Sequence, residues 1–312
     1  MVSRSDRVLI TGGTGFTGRP LAERLRRDGH DVVALGHDAR DIGAFKVDLC
    51  DFDGITAALT RIRPDAIVHL AGIAAPSHSN IGEMYAANVV GTANLFAAMR
   101  VAGITPRLVI VASSAQLYAF TGSETPLVED APLAPKSHYA VSKRAAEDIA
   151  AVNSREFPIV VARPFNYTGP GQTGSFLVPK IVQHFAEERD EIRLGNLDLY
   201  RDFSDVTRVV EAYARMLSRP IEPNTVNICS GRAVYLADIL TIMQQISGHT
   251  LRAVTDPALV RGDEPRFILG SPARLESLIG SLPNPEFRDT LERMYGAFRE
   301  AREARRSGSA SR

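Results

Sequence analysis

A short apolar run, Arg7-Val-Leu-Ile-Thr11, passes directly into Gly12-Gly-Thr-Gly15-Phe-Thr-Gly18 and then into a helix-forming stretch, Pro20-Leu-Ala-Glu-Arg-Leu-Arg-Arg. Few folds accept that order of strand, glycine turn and helix. Glycines at 12, 15 and 18 let the backbone turn tightly, approach a pyrophosphate and pack the helix on the sheet, and the helix N-terminus aims its unpaired N–H groups at the phosphates. Phe16 and Thr17 lie inside the same turn, whose spacing is G-x-x-G-x-x-G rather than G-x-G-x-x-G. Strand-like runs at 31–35, 66–71, 107–112 and 159–162 alternate with helical stretches farther on. Repeated β-α units predict the α/β class, a doubly wound parallel Rossmann sheet whose switch point holds a dinucleotide.

The end of the second strand decides between cofactors, because NAD-binding sheets place an acid there to accept hydrogen bonds from the ribose 2′-hydroxyl. This chain reads Leu35-Gly36-His37-Asp38-Ala39-Arg40. With Gly36 in the acid's place and His37 and Arg40 behind it, the site suits a 2′-phosphate, and NADP(H) is the expected cofactor. Asp38 leaves NAD(H) as the alternative, since it could take the ribose itself. Asp48 and Leu49 fall where the adenine would lie, and Ala71-Gly72 ends the fourth strand beneath the cofactor.

Tyr139-Ala-Val-Ser-Lys143 sets a phenol and an ammonium four residues apart ahead of a good helix-forming run. On a helix the two share one face. A nearby ammonium favours the phenolate, so Tyr139 is expected to have a lowered pKa and to trade protons with an alcohol or ketone. Ser114 follows the strand-like Leu108-Val-Ile-Val-Ala112 and offers a second hydroxyl at a strand's carboxyl end, where open parallel sheets put their reactive groups.

With 45% hydrophobic and 23% charged residues in 312, the chain can bury a large core as one large domain or two lobes. Thirty-six basic side chains balance thirty-six acidic ones, leaving no overall footprint for nucleic acid or a membrane surface. Cys50 and Cys229 are too few for a disulfide framework and lack metal-ligand spacing, which predicts two buried free thiols and no metal site. No signal peptide is apparent and no apolar run approaches spanning length, so a soluble cytoplasmic protein is expected. The Arg/Glu/Ala-rich stretch from Arg299 reads as a helix fraying into a disordered tail.

Together, Thr11-Gly-Gly-Thr-Gly-Phe-Thr-Gly18, Ser113-Ser-Ala-Gln-Leu-Tyr118 and Tyr139-Ala-Val-Ser-Lys143 resemble the extended short-chain dehydrogenase/reductases. Three later stretches resemble the nucleotide-sugar branch: Ala162-Arg-Pro-Phe-Asn-Tyr-Thr-Gly-Pro-Gly-Gln172, Gly195-Asn-Leu-Asp-Leu-Tyr-Arg-Asp-Phe-Ser-Asp-Val206 and Val226-Asn-Ile-Cys-Ser-Gly231. The likeness covers roughly residues 7 to 275.

It implies a triad of Ser114, Tyr139 and Lys143, the last two also touching the cofactor, and a nucleotide-diphosphate sugar as substrate. Ser114 and Asn166 would contact the sugar, Arg201 and Arg261 the diphosphate end, and Glu264 the nucleotide ribose. It further implies a Rossmann domain at 1–166 plus 202–231, a smaller, mainly C-terminal substrate lobe at 167–201 plus 232–305, and a tail at 306–312. A homodimer through helices near 84–100 and 139–152 is the family's common assembly, and the alanines there allow close approach. Ala119 and Gly262 depart from the usual glycine and proline, and the Gly-Trp-x-Pro ending is absent.

The reaction expected is NADP(H)-dependent reduction of the C4 ketone of a nucleotide-linked 4-keto-6-deoxy sugar of the GDP-4-keto-6-deoxy-mannose type. Ala115 and Gln116 follow Ser114 where a dehydratase needs proton-exchanging groups, and neither exchanges a proton near neutral pH. A 4-epimerase with tightly bound NAD is the alternative. A non-catalytic cofactor sensor is less favoured because tyrosine, lysine and serine are all present.

Overall fold

The computed structural model describes residues 5–36, 44–74, 79–260, 262 and 264–309. The chain runs β1 (Arg7–Thr11), α1 (Gly18–Arg27), β2 (Asp31–Gly36), β3 (Ala44–Lys46), α2 (Phe52–Ile62), β4 (Ala66–His69) and α3 (Ile81–Tyr85). Helix α3 continues through a π-turn (Ala86–Val90) into α4 (Gly91–Val101), followed by β5 (Leu108–Ala112), α5 (His138–Asn153), β6 (Ile159–Pro164) and β7 (Asn166–Thr168). Then come α6 (Leu177–Ala186), β8 (Glu191–Leu194), β9 (Tyr200–Asp205), α7 (Val206–Ser218), β10 (Asn224–Ile228), β11 (Ala233–Tyr235) and α8 (Leu236–Ser247). β12 (Arg252–Thr255), β13 (Phe267–Ile268), α9 (Ala273–Ile279) and α10 (Phe287–Ser309) complete it.

Seven strands form one parallel sheet in the order β10-β6-β5-β4-β1-β2-β3. Strand residues alternate between two fully covered faces, as a sheet buried on both sides requires. Val8, Ile10, Val68 and Ile110 pack beneath α1 and α7, while Leu9, Ile67 and Val109 pack against α2 and α4. The chain leaves β1 toward β2 and β3 on one side and returns to β4 on the other, so the switch point lies at the carboxyl ends of β1 and β4. That is the doubly wound topology expected from the sequence, and its crevice is where such sheets bind ligands.

The remaining strands form a four-stranded and a two-stranded sheet. β9 pairs with β11, β13 and β7, and β8 pairs with β12. Val178, Ile181, Phe185, Leu199, Ile239 and Leu291 form this lobe's own core. Strand β9 runs across the boundary expected at residue 202. Helix α10 reaches Ser309, so most of the stretch expected as a tail is helical.

Candidate functional site

Between the sheet's carboxyl edge and the small lobe lies a cleft of about 2120 Å³. A pocket for one small ligand is typically about 300–1,000 Å³, so this one has room for a dinucleotide and a second nucleotide together. Its lining includes Gly12, Gly15, Phe16, Thr17, Gly18, Asp48, Leu49, Ala71, Gly72, Ser114, Tyr139, Lys143, Asn166, Arg201 and Glu264. The cleft thus collects every site residue expected from the sequence except His37, Arg40 and Arg261, which lie outside the described residues.

The glycine turn is held by close backbone approach. A Cβ at Gly18 would come within 2.3 Å of the Gly12 carbonyl oxygen, so α1 can start against the turn only with glycine there. Phe16 stacks on Tyr167 at 5.8 Å, and the Thr17 hydroxyl meets the Tyr167 hydroxyl at 2.9 Å, fastening the turn to β7. A Cβ at Gly36 would lie 2.5 Å from Thr14 Oγ1, so a side chain there would have to displace the threonine. Below the end of β4, Thr92 donates to the Asn88 carbonyl and so accepts from His69 Nε2, leaving His69 Nδ1 to accept from Thr11 Oγ1. Burial, and after it the charge of Lys143, push His69 down to about 3 and keep it neutral.

Ser137 caps α5 by accepting from the Ala140 N–H, which sets Tyr139 in the first turn. Tyr139 and Lys143 both fall on the helix's buried face with Ala146, Glu147 and Ala150. Ser114 lies beside the Tyr139 phenol and lowers its pKa, and Ser114 Oγ accepts from the Gln116 N–H at 3.1 Å. Lys143 Nζ donates to the Ala112 carbonyl at 2.9 Å, tying the helix to the end of β5. Asn88, on the π-turn, accepts from Ile73 N–H at 2.7 Å and donates to Ser142 Oγ at 2.9 Å, joining the loop beside Gly72 to α5. Such turns often sit at functional sites because they rotate one side chain out of the helical register.

The phenol departs from the sequence expectation. Burial pushes Tyr139 up to about 12, the neighbouring Ser114 hydroxyl pulls it back, and Tyr167 nearby raises it further. Lys143, expected to lower it, instead faces a carbonyl and is itself brought down to about 8 by burial, with Glu147 opposing. At neutral pH this arrangement holds a protonated phenol aimed from a dry wall, with a serine hydroxyl beside it and an ammonium behind. Such a group can give a proton to a carbonyl oxygen as hydride arrives at carbon.

On the lobe side Asn166 donates to the Asp202 carbonyl at 3.3 Å. Arg201 is buried, donates through Nη1 to the Tyr200 and Pro265 carbonyls at 2.8 and 2.9 Å, and pairs with Glu264 at 3.5 Å. The two residues expected at separate parts of a sugar nucleotide therefore meet each other. Two polar cleft residues among those that sequence reading did not single out are Tyr167 and Arg293. Tyr167 stood inside a quoted motif without being singled out. Arg293, anchored on buried Asp205, comes from α10, which carries no motif. Cys50, expected buried, is exposed, whereas Cys229 is buried. Among the described residues, no cluster of His, Cys, Asp and Glu is placed to hold a metal, and no helix is long and apolar enough to cross a membrane.

A family model described as the NAD dependent epimerase/dehydratase family matches residues 8–229. The chain belongs to that family. It is an NAD(P)-dependent enzyme of the extended short-chain dehydrogenase/reductase type, within a nucleotide-sugar group that includes reductases, dehydrogenases and epimerases. It is 32% identical over 292 residues to the GDP-6-deoxy-D-talose 4-dehydrogenase of Aggregatibacter actinomycetemcomitans, covering 93% of this chain and 97% of that one. It is 29% identical over 296 residues to the GDP-6-deoxy-D-mannose reductase of Pseudomonas aeruginosa, covering 92% and 95%. The solved structure of RMD from Pseudomonas aeruginosa complexed with NADPH superposes with a TM-score of 0.85 at 29% identity, covering 95% of this chain and 100% of that one.

Proposed function

We propose that the protein reduces the C4 ketone of a nucleotide-linked 4-keto-6-deoxy sugar of the GDP-4-keto-6-deoxy-mannose type, drawing hydride from NADPH. The observation that carries this reading is the meeting of Ser114, Tyr139 and Lys143 on one wall of a cleft sized for two nucleotides. Ser114 orients the ketone oxygen, Tyr139 protonates it, and Lys143 supports the charge of the site and the cofactor. Bound NADPH supplies the hydride; the protein's part is to align the carbonyl and give up one proton. Ala115 and Gln116 line the cleft beside Ser114 and offer no group for the elimination of water.

Asn166 and Arg201 contact the sugar nucleotide and Glu264 meets its ribose, with Arg261 as a further partner of the diphosphate. Guanidinium forks suit phosphate oxygens, and carboxylates accept from ribose hydroxyls. D-Talose and D-mannose differ only at C4, so the product's configuration follows from which face of the ketone lies against the nicotinamide. The missing acid at Gly36 supports NADPH over NADH, with His37 and Arg40 as the partners of the 2′-phosphate. A homodimer through α4 and α5 is part of the reading. It is supported by exposed Val90, Val101, Val141 and Val152 on and beside those helices.

Incubation with NADPH and a panel of 4-keto-6-deoxy nucleotide sugars tests the reading. One NADPH should be consumed from solution for each sugar converted, and the purified protein should carry little tightly held cofactor. Turnover of a nucleotide hexose that carries a C4 hydroxyl, without added cofactor and yielding its C4 epimer, would replace the reductase by an epimerase.

A further inference from the structure

One turn beyond Lys143 on the same face of α5 lies a buried carboxylate that the reaction just described does not use. Glu147 Oε1 accepts from the Ser113 hydroxyl at 2.5 Å and from Arg163 Nε at 2.8 Å, and Oε2 accepts from Arg163 Nη2 at 2.7 Å. Ser113, Glu147 and Arg163 are all less than a tenth exposed. Arg163 is itself fixed, donating Nη1 to the Tyr118 hydroxyl and to the Glu129 carbonyl, both at 3.1 Å. The Tyr118 hydroxyl donates onward to Asn227 Oδ1 at 2.7 Å.

This clamp joins the two elements that carry the triad. Ser114 stands at the end of β5, next to Ser113, while Tyr139 and Lys143 stand on α5. The strand end and the helix touch through polar groups at two places, Lys143 Nζ on the Ala112 carbonyl and Ser113 on Glu147. Arg163 pins the second from β6. Stability alone is a poor reason for such a pair, because a buried ion pair is often no better than apolar residues of the same volume. Its place behind the triad gives it another use.

We propose that Glu147, clamped by Arg163, is a positioning residue: it fixes the spacing between Ser114 on its strand end and Tyr139 and Lys143 on their helix, and it is the anionic neighbour that keeps Lys143 charged. Lys143 shares the buried face of α5 with Tyr139 and Glu147 and interacts with neutral His69 of β4, while Arg163 of β6 pairs with Glu147. Asn88 and the Ala112 carbonyl add no titratable group. Burial favours the neutral amine and Glu147 opposes it, so without this carboxylate Lys143 loses its proton at a lower pH.

The proposal rests on the triad assignment above, and its test needs a readout that survives failure of the substrate assignment. The chain has four lysines. Selective 13C labelling gives four lysine signals, and Lys143 is identified by the signal that Lys143→Met removes. Three variants are compared: Glu147→Gln, Glu147→Asp, and Glu147→Gln combined with Arg163→Gln, which leaves no guanidinium stranded. In Glu147→Gln, kcat should fall about tenfold or more. The alkaline limb of kcat and the Lys143 titration should both move acidward by about one pH unit. The double variant should shift in the same direction. Glu147→Asp, with its carboxylate drawn back by one methylene, should keep the limb and lose kcat. A folded Glu147→Gln or double variant with wild-type kcat and an unmoved Lys143 titration overturns the proposal, as does a loss confined to melting temperature. If the wild type turns over no 4-keto sugar, the reductase reading falls while the Lys143 titration still decides this one.

Discussion

The wall of the cleft that carries Ser114, Tyr139 and Lys143 is held by backbone groups, short side chains and one buried ion pair behind it, whereas on the lobe side the long side chains themselves line the cleft. Lys143 rests on a backbone carbonyl, Ser137 caps the helix, and Asn88 bridges a loop to it. Across the cleft, Arg201 reaches over strand-end carbonyls to Glu264, and Arg293 stretches from α10 to Asp205. A group fixed by backbone keeps its place to a fraction of an ångström, which proton transfer requires. Long side chains adapt to what they hold. The first wall should therefore set turnover and the second should set which molecule is held.

The most damaging break of this division is Tyr139→Phe, which deletes one proton donor and leaves the ring. Turnover should fall by about two to four orders of magnitude. NADPH affinity, followed by fluorescence titration, should stay within a few-fold of wild type. Wild-type turnover in that variant would remove the wall's assigned role, and an equal loss of cofactor affinity would show that the wall does not separate chemistry from binding.

A smaller effect of opposite kind is expected from Arg201→Met. On the proposed reading the guanidinium would grip the substrate's charged end equally in ground and transition states, so KM for the sugar nucleotide should rise about 10- to 100-fold with kcat nearly unchanged. Steady-state kinetics at saturating NADPH separate the two constants. A collapse of kcat with KM intact would mean that the lobe side takes part in the chemistry.

The same contrast explains what was readable from the residues. Each β-α unit of the large sheet carries its own signal, an apolar run followed by a turn and a periodic helix, and the site residues on it sit in contiguous motifs. The lobe's sheet is assembled at long range. Tyr200 pairs with Phe267 on one side and with Tyr235 on the other, in strands of two to six residues that show no pattern alone. The Tyr139 proton shows the limit on the first wall, where an ammonium one turn away is visible in sequence but burial is not, and burial decides the direction. Glu147 follows the spacing of Tyr139 and Lys143, yet its meaning depends on Arg163, which only the pairing of β5 with β6 brings near. His37, Arg40 and Arg261 belong to neither comparison, since they lie outside the described residues.

The smallest expected effect lies in stability and sharpens what a functional wall costs. Lys143 is buried, and its pKa in the folded chain is about 8, below the ordinary value of 10.5. Between those two values the unfolded chain holds a proton that the folded chain has released, so this group adds stability as pH rises through that window. Below pH 8 the cost of burying the ammonium is fully present. Lys143→Met removes it, and the variant should be more stable than wild type at pH 7 by about 1–2 kcal/mol while being nearly inactive. Melting curves across pH 7 to 10.5 should show this advantage shrinking as the wild-type lysine loses its charge in the folded state. An advantage that does not change with pH would assign the gain to packing rather than to the buried charge. A Lys143→Met protein less stable than wild type at pH 7 would mean that the hydrogen bond to Ala112 outweighs the burial of the ammonium, and that this wall is held together by the group it uses.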